Sequence, residues 1–243
     1  GAARTVTGSK HIIHINPGKK VLLDCGMFQG MGRDTLRLNQ EFGFDPKEVD
    51  LVIISHAHID HIGLLPKLVK EGYKGKIYCT KATAALADVL LRDSAHIQEM
   101  DVKFSNKVKA GQGKPPEEPL YTTEDVIRVF PLLEVIDLHQ WTKIDDQVEL
   151  MYTDAGHIIG STCVHLKLTE NGKTVRLTFS GDIGRYGDDI LKSPEVFPQA
   201  DYIIMESTYG DKLHPLTKPP AEHLLTQIET TCLHKKGKLI IPA

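Results

Sequence analysis

The sequence predicts an α/β fold of the α+β type, with two mixed sheets sandwiched by helices. Three observations carry this. Strand-like runs come in groups, at residues 11–15 and 20–24 and again across 135–180, instead of alternating one by one with helices. Helical spacing is confined to a few segments, the longest from Lys81 to about Lys109. Neither GxGxxG nor GxxxxGK[ST] occurs and there is no internal repeat, which argues against a doubly wound nucleotide-binding sheet.

Residues 11–15 and 20–24 are two short strands around Asn16-Pro17-Gly18, a hairpin turn punctuated by Pro and Gly. Residues 33–43 are polar and irregular. Residues 49–54 are an apolar strand, 64–71 a short helix stopped near Gly72, and 76–79 the next strand. In the long helix, Ala85, Val89, Arg92, His96 and Met100 recur at helical spacing. Residues 111–120 are too proline-rich for regular structure. Thr122 or Thr123 can cap a helix that starts there. Strands follow at 135–138, 148–154, 162–168 and 175–180, the last two joined by an Asn171-Gly172 hairpin turn. Residues 202–206 are another strand, 220–234 a helix and 238–241 a final strand. The opening residues read as a loop that should follow a strand, and the last six stop in a strand-like run. The chain therefore reads as a fragment of a longer protein.

The composition narrows the function. The chain has 243 residues, 25% charged and 41% hydrophobic, as a globular domain requires. No apolar run approaches the roughly 20 residues that span a bilayer, and no signal-peptide core opens the chain. Cys25, Cys79, Cys163 and Cys232 lie far apart with no CxxC pair, which excludes a cysteine zinc ribbon and asks for no oxidising compartment. The expected setting is the cytoplasm, with no membrane partner. A net charge of −3 and a pI near 6.5 exclude a general basic coat for nucleic acid, so any such contact is local or supplied by metal ions. Lys103, Lys107 and Lys109, and Lys235, Lys236 and Lys238, suit a solvated face as well as they suit phosphates.

The chemistry concentrates in residues 51–66, where an apolar run ends in His56, His58, Asp60 and His61. Imidazole nitrogens and carboxylate oxygens suit a borderline cation such as Zn²⁺. Buried without partners, such groups would cost about 1–3 kcal/mol each. His56 and His58, at alternate positions, can point the same way, while Asp60 and His61 face a second point beyond the turn, so the spacing suggests two metals. Four further candidates also sit at the ends of expected strands, where loops carry chemistry. His157 follows a strand between Gly156 and Gly160, though alone it is read as an ordinary loop histidine. Asp182 is a glycine-flanked acid that can offer one oxygen to each of two cations, or serve as a helix cap. Asp24 can orient a ligand histidine through a hydrogen bond, or merely form a turn. Glu206 leaves an apolar strand for a polar loop and can hold a proton donor, or sit there as an exposed acid.

The set Leu23-Asp24-Cys25-Gly26, His56-Ala57-His58-Ile59-Asp60-His61, Gly156-His157 and Ser180-Gly181-Asp182 resembles the metallo-β-lactamase fold. The opening Gly1-Ala2-Ala3-Arg4-Thr5-Val6-Thr7-Gly8-Ser9, together with Phe28-Gln29-Gly30 and Glu206-Ser207-Thr208-Tyr209-Gly210, is similar to the β-CASP branch. Within that branch it resembles the RNA-processing exo- and endonucleases related to the mRNA 3′-end cleavage subunit and bacterial RNase J. The resemblance implies a four-layer αββα sandwich over residues 1–208, its final strands missing, and the truncated start of an inserted β-CASP domain over 209–243.

It also implies that His56, His58 and His157 hold one zinc ion, that Asp60 and His61 hold a second, and that Asp182 bridges them. Asp24 would support the site from behind, and Asp60, Asp182 and Glu206 would serve the reaction. The last ligand of the second zinc and the proton-donor histidine paired with Glu206 would lie beyond Ala243. The implied activity is zinc-dependent cleavage of RNA, exo- or endonucleolytic, by attack of a hydroxide held between the metals. RNA is the expected partner, with single-stranded DNA as a second candidate and a homodimer as the assembly to test. Two other readings stand beside it. One is a small-molecule metallohydrolase, such as a thioesterase or lactamase, against which residues 206–210 and the expected helix and strand at 220–241 argue. The other is a non-catalytic RNA-processing scaffold, which would be expected to lose ligands. An iron oxidoreductase of the same fold would carry Glu where His58 stands.

Overall fold

A computed structural model describes residues 2–212 and 219–241. By their contacts the residues divide into two compact units, Gly1–Glu206 and Ser207–Ala243. The first unit contains two five-stranded sheets. One has the order β1 (His11–Ile15), β2 (Lys19–Leu23), β3 (Leu51–Ile53), β4 (Lys76–Cys79), β5 (Leu133–Val135). Only β1 and β2 are antiparallel, with His11 opposite Leu23; the later strands run parallel, as crossovers through helices require. Those helices are α1 (Asp34–Gln40), α2 (Ile59–Ile62), α3 (Leu65–Lys70), α4 (Lys81–Gly111) and α5 (Thr123–Ile127).

The second sheet has the order β10 (Tyr202–Ile204), β9 (Lys173–Phe179), β8 (Thr162–Glu170), β7 (Val148–Asp154), β6 (Thr142–Lys143). β6 to β9 form an antiparallel meander and β10 joins β9 in parallel. Both sheets are therefore mixed, as expected, and the first unit carries the helix, sheet and sheet layers of the αββα sandwich.

Alternation along β2 distributes its side chains between two cores. Leu22 joins Val52, Ile54 and Ile77 beneath Leu65, Leu68, Leu91 and Val126 of the helices. Val21 and Leu23 join Ile53 in facing Leu150, Tyr152, Val164 and Leu166 of the other sheet. The first sheet is thus covered on both faces, which is why β3 and the residue after it read as an unbroken apolar run.

Several elements differ from the sequence expectation. Residues 34–40, expected to be irregular, form α1, whose buried Asn39 accepts from the Phe28 backbone N–H at 2.8 Å and donates to its carbonyl at 2.9 Å. This tertiary clamp outweighs weak local propensity. The strand expected at 135–138 lies earlier, in β5. The helix expected at 220–234 is α6 (Pro220–Ile228), ending in a π-helical turn at Glu229–His234. Residues 238–241 form no strand, since a strand needs a neighbour and among the described residues of that unit none pairs with them. Thr122 is the cap of α5: its hydroxyl accepts from the Asp125 N–H, and the Asp125 carboxylate accepts from the Thr122 N–H.

Candidate metal centre

β3 ends at Ile53, and the chain leaves it as Ile54-Ser55-His56-Ala57-His58 before entering α2, the helix that carries Asp60 and His61. The turn after β2 locks this segment in place. The Cys25 N–H donates to the His61 carbonyl at 2.7 Å, and the Met27 N–H donates to the Ile59 carbonyl at 3.0 Å. A Cβ on Gly26 would stand 1.6 Å from the Asp60 carbonyl oxygen, so only glycine permits this approach.

The loop carrying His157 is held as firmly. The Ser161 hydroxyl accepts from the His157 N–H at 3.0 Å and from the Ile158 N–H at 3.1 Å. Thr80 and Thr83, at the start of α4, both donate to the Gly160 carbonyl at 2.9 Å.

These supports bring four candidates together. One donor atom from each of His56, His58, His157 and Asp182 lies within 4.8 Å of all the others. His56 Nε2 and His157 Nε2 are each 3.1 Å from His58 Nδ1, so three ring nitrogens converge. Asp182 Oδ2 is 3.9 Å from His56 Nε2 and 3.6 Å from His157 Nε2. Its other oxygen, Oδ1, is 3.3 Å from His61 Nε2. Asp60 Oδ2 stands on that second side, 3.8 Å from His61 Nε2. Three imidazoles and a carboxylate around one point make a donor set that fits a divalent cation.

The electrostatics agree. Burial, and then the repulsion of His61, His58 and His157, hold the His56 imidazole well below the usual histidine range, and burial and His157 lower His58. Neutral rings with free lone pairs are what a metal requires. His61 behaves oppositely. Burial alone would lower it, but Asp24 and Asp182 outweigh burial and raise it to about 10. Burial would raise the Asp182 carboxyl, but the hydrogen bond from His61 and the charges of the neighbouring histidines bring it below the usual carboxylate range. The thiol of Cys25, beside Asp24, is pushed by burial up to about 12, so it offers no thiolate at neutral pH.

Asp24 sits behind the cluster, fully buried. Its Oδ1 accepts from the Ser55 N–H at 2.8 Å; its Oδ2 accepts from the Ser55 hydroxyl at 2.9 Å and the Ser9 hydroxyl at 3.1 Å. The Ser55 oxygen also lies 3.1 Å from His56 Nδ1, so it can accept that ring proton and leave Nε2 for the cluster. Ser9 and Ser55 were not singled out from the sequence. Their only signal was to be small polar residues directly beside the motifs.

Glu206 is not one of the four clustered donors. Its Oε1 accepts from the Ile183 N–H at 2.7 Å, which ties it to the loop just after Asp182, and its own N–H donates to the Ser180 hydroxyl at 3.1 Å.

A family model described as the Metallo-beta-lactamase superfamily matches residues 11–225. Three curated relatives align over the whole chain. A protein named Ribonuclease TTHA0252, from Thermus thermophilus, is 38% identical over 100% of this chain and 50% of its own length. Endoribonuclease YSH1 of Candida glabrata is 32% identical over 100% of this chain and 30% of its own. Transcription termination factor FttA of Methanocaldococcus jannaschii is 31% identical over 100% of this chain and 36% of its own. The chain thus spans between about a third and a half of the length of these relatives.

Proposed function

We propose that this chain, which belongs to the metallo-beta-lactamase superfamily, carries the metal centre of a zinc-dependent phosphodiesterase that cleaves RNA, in a protein of the β-CASP branch. The observation that supports this most is the placing of Asp182. Its two oxygens face different groups, Oδ2 the His56 and His157 side and Oδ1 the His61 side. One carboxylate between two donor sets is what a two-cation phosphoryl site uses.

In this reading His56, His58 and His157 hold one zinc ion, Asp60 and His61 contribute to a second, and Asp182 serves both. When bound, such cations acidify a water molecule and neutralise charge on a phosphoryl oxygen. The chain's own residues do the rest. Asp24 and Ser55 orient His61 and His56, and the bonds of Ser161 set the His157 backbone. Glu206 fixes the backbone after Asp182 through Ile183, and its carboxylate would partner a proton-donor histidine. Residues 1–208 are the lactamase-type domain and 209–243 the beginning of the β-CASP domain. RNA is the substrate suggested by relatives named as a ribonuclease, an endoribonuclease and a transcription termination factor; single-stranded DNA is the comparison to run. A cytoplasmic setting and a homodimeric assembly complete the reading.

The test is cleavage of end-labelled RNA and DNA by the purified protein, with and without a chelator, alongside Asp182→Ala and metal analysis. Loss of cleavage in the chelated protein and in the variant, with zinc in the native one, is the expected result. RNA cleavage that survives both, or turnover of thioesters or lactams in its place, overturns the proposal.

A further inference from the structure

Helix α4 shows two apolar faces, and the fold uses one. Thr83, Ala87, Leu91 and Ala95, four residues apart, are buried on the core side. Elsewhere on its surface Val89, Ile97, Met100, Phe104 and Val108 are 64%, 51%, 50%, 71% and 49% exposed. At 100° per residue these five positions fall within about 100° of arc, and at 1.5 Å per residue they run for about 28 Å. Scattered single hydrophobes need no explanation, but a continuous stripe does.

We propose that this stripe is where two copies of the chain pair, α4 against α4 in antiparallel orientation. The charges on the helix select both the occupant and the direction. Asp93, at i+4 from Val89 and i−4 from Ile97, is the one acidic side chain within the stripe, and it is exposed. Lys103 and Lys107, also exposed, flank Phe104 in the other half. An antiparallel pair related by a two-fold axis near residues 98–99 sets Val89 opposite Val108 and Ile97 opposite Met100. Asp93 then falls opposite Phe104, between Lys103 and Lys107 of the other copy, and the two-fold repeats the match. A parallel pair would oppose Asp93 to Asp93 in an apolar seam. An RNA ligand fits the stripe itself less well, because its centre is apolar and carries Asp93, which would repel a phosphate.

A contact of one helix pair lies at or below the low end of the roughly 1,200–2,000 Å² of stable interfaces, so a weak, reversible dimer is expected. The inference does not depend on the proposed reaction.

Sedimentation equilibrium of the purified protein tests it. The native protein is expected to dimerise reversibly. Met100→Glu is expected to weaken the dimer at least tenfold, with helix content by circular dichroism unchanged. Asp93→Lys is expected to weaken it likewise, and Asp93→Lys combined with Lys103→Asp and Lys107→Asp to restore it. The restoring triple variant decides the matter if Met100→Glu loses helix. A native protein that stays monomeric at high concentration, or a dimer indifferent to Met100→Glu and to the charge exchange, overturns the proposal. So does a monomer whose RNA affinity falls with Met100→Glu.

Discussion

Asp24 Oδ2 lies 2.7 Å from His61 Nδ1, with the Asp24 side chain 0% and the His61 side chain 5% exposed. The carboxylate fixes the ring so that Nε2 points at Asp182 and Asp60. Removing such a support behind a metal-binding histidine costs about 10–100-fold in metal affinity, and Asp24→Ala is expected to do so in competition with a chromophoric chelator. The same contact makes metal binding pH-dependent. With the His61 pKa raised to about 10 in the metal-free protein, the ring carries its proton at neutral pH. A cation at Nε2 must displace that proton, so affinity should rise with pH and binding should release protons. Calorimetry in buffers of different ionisation enthalpy reads that release directly. Binding without proton uptake by the buffer would mean that His61 is not a ligand.

The loops bearing His157 and Asp182 touch backbone to backbone. The Gly184 N–H donates to the Ala155 carbonyl at 2.8 Å, and a Cβ on Gly184 would stand 1.7 Å from the Gly156 carbonyl oxygen. Gly184→Ala must push the two loops apart. The expected result is a stability loss of about 1–3 kcal/mol in denaturant unfolding, together with reduced metal content. Wild-type metal content in this variant would show that the loops move independently.

Glu206 separates two roles by chemistry. Glu206→Gln keeps an oxygen for the Ile183 N–H and removes the charge, whereas Glu206→Ala removes both. If the acid also tunes a proton donor, Glu206→Gln should retain metal and slow RNA cleavage at least tenfold, with an altered pH profile. Glu206→Ala should additionally loosen the Asp182 loop and lower metal content. Equal cleavage by Glu206→Gln and the native protein would leave Glu206 with its backbone role alone.

His165 reports on the second sheet. Its ring is 1% exposed, with Nε2 2.8 Å from the Thr153 hydroxyl and Nδ1 2.9 Å from that of Thr178. One hydroxyl donates and the other accepts, so the neutral ring is satisfied. Burial lowers the pKa from 6.5 to about 4. The unfolded chain therefore binds a proton that the folded one refuses between those values, and stability falls as the pH drops through this window. The full effect is about 3 kcal/mol. Denaturant midpoints in native protein and in His165→Gln should diverge at pH 7 and converge toward pH 4. Parallel curves would show that another group governs the acid limb.

The grouping of strands, the apolar run of β3 and the cap of α5 were legible because each depends on residues close in sequence. Their periods, turns and caps are local properties of the chain. α1, β6 and the register of β5 were not, since the Asn39 clamp on Phe28 and the pairing of short strands are made by distant partners. The absence of a strand at residues 238–241 has the same origin: β-propensity is realised only against a neighbour.

Which side chains can ligate is a matter of residue type and order, because His56, His58, Asp60 and His61 crowd into six positions and His157 and Asp182 each follow a strand beside glycine. Tertiary structure alone decided that His157, 99 residues from His58, comes to 3.1 Å from it. It also decided that Asp182 divides its oxygens between two groups, and that Ser9 and Ser55 join Asp24 behind the histidines. Ligand chemistry belongs to the residue. Distance and orientation belong to the packed backbone, where Gly26 and Gly184 let separate loops meet closer than any side chain would allow.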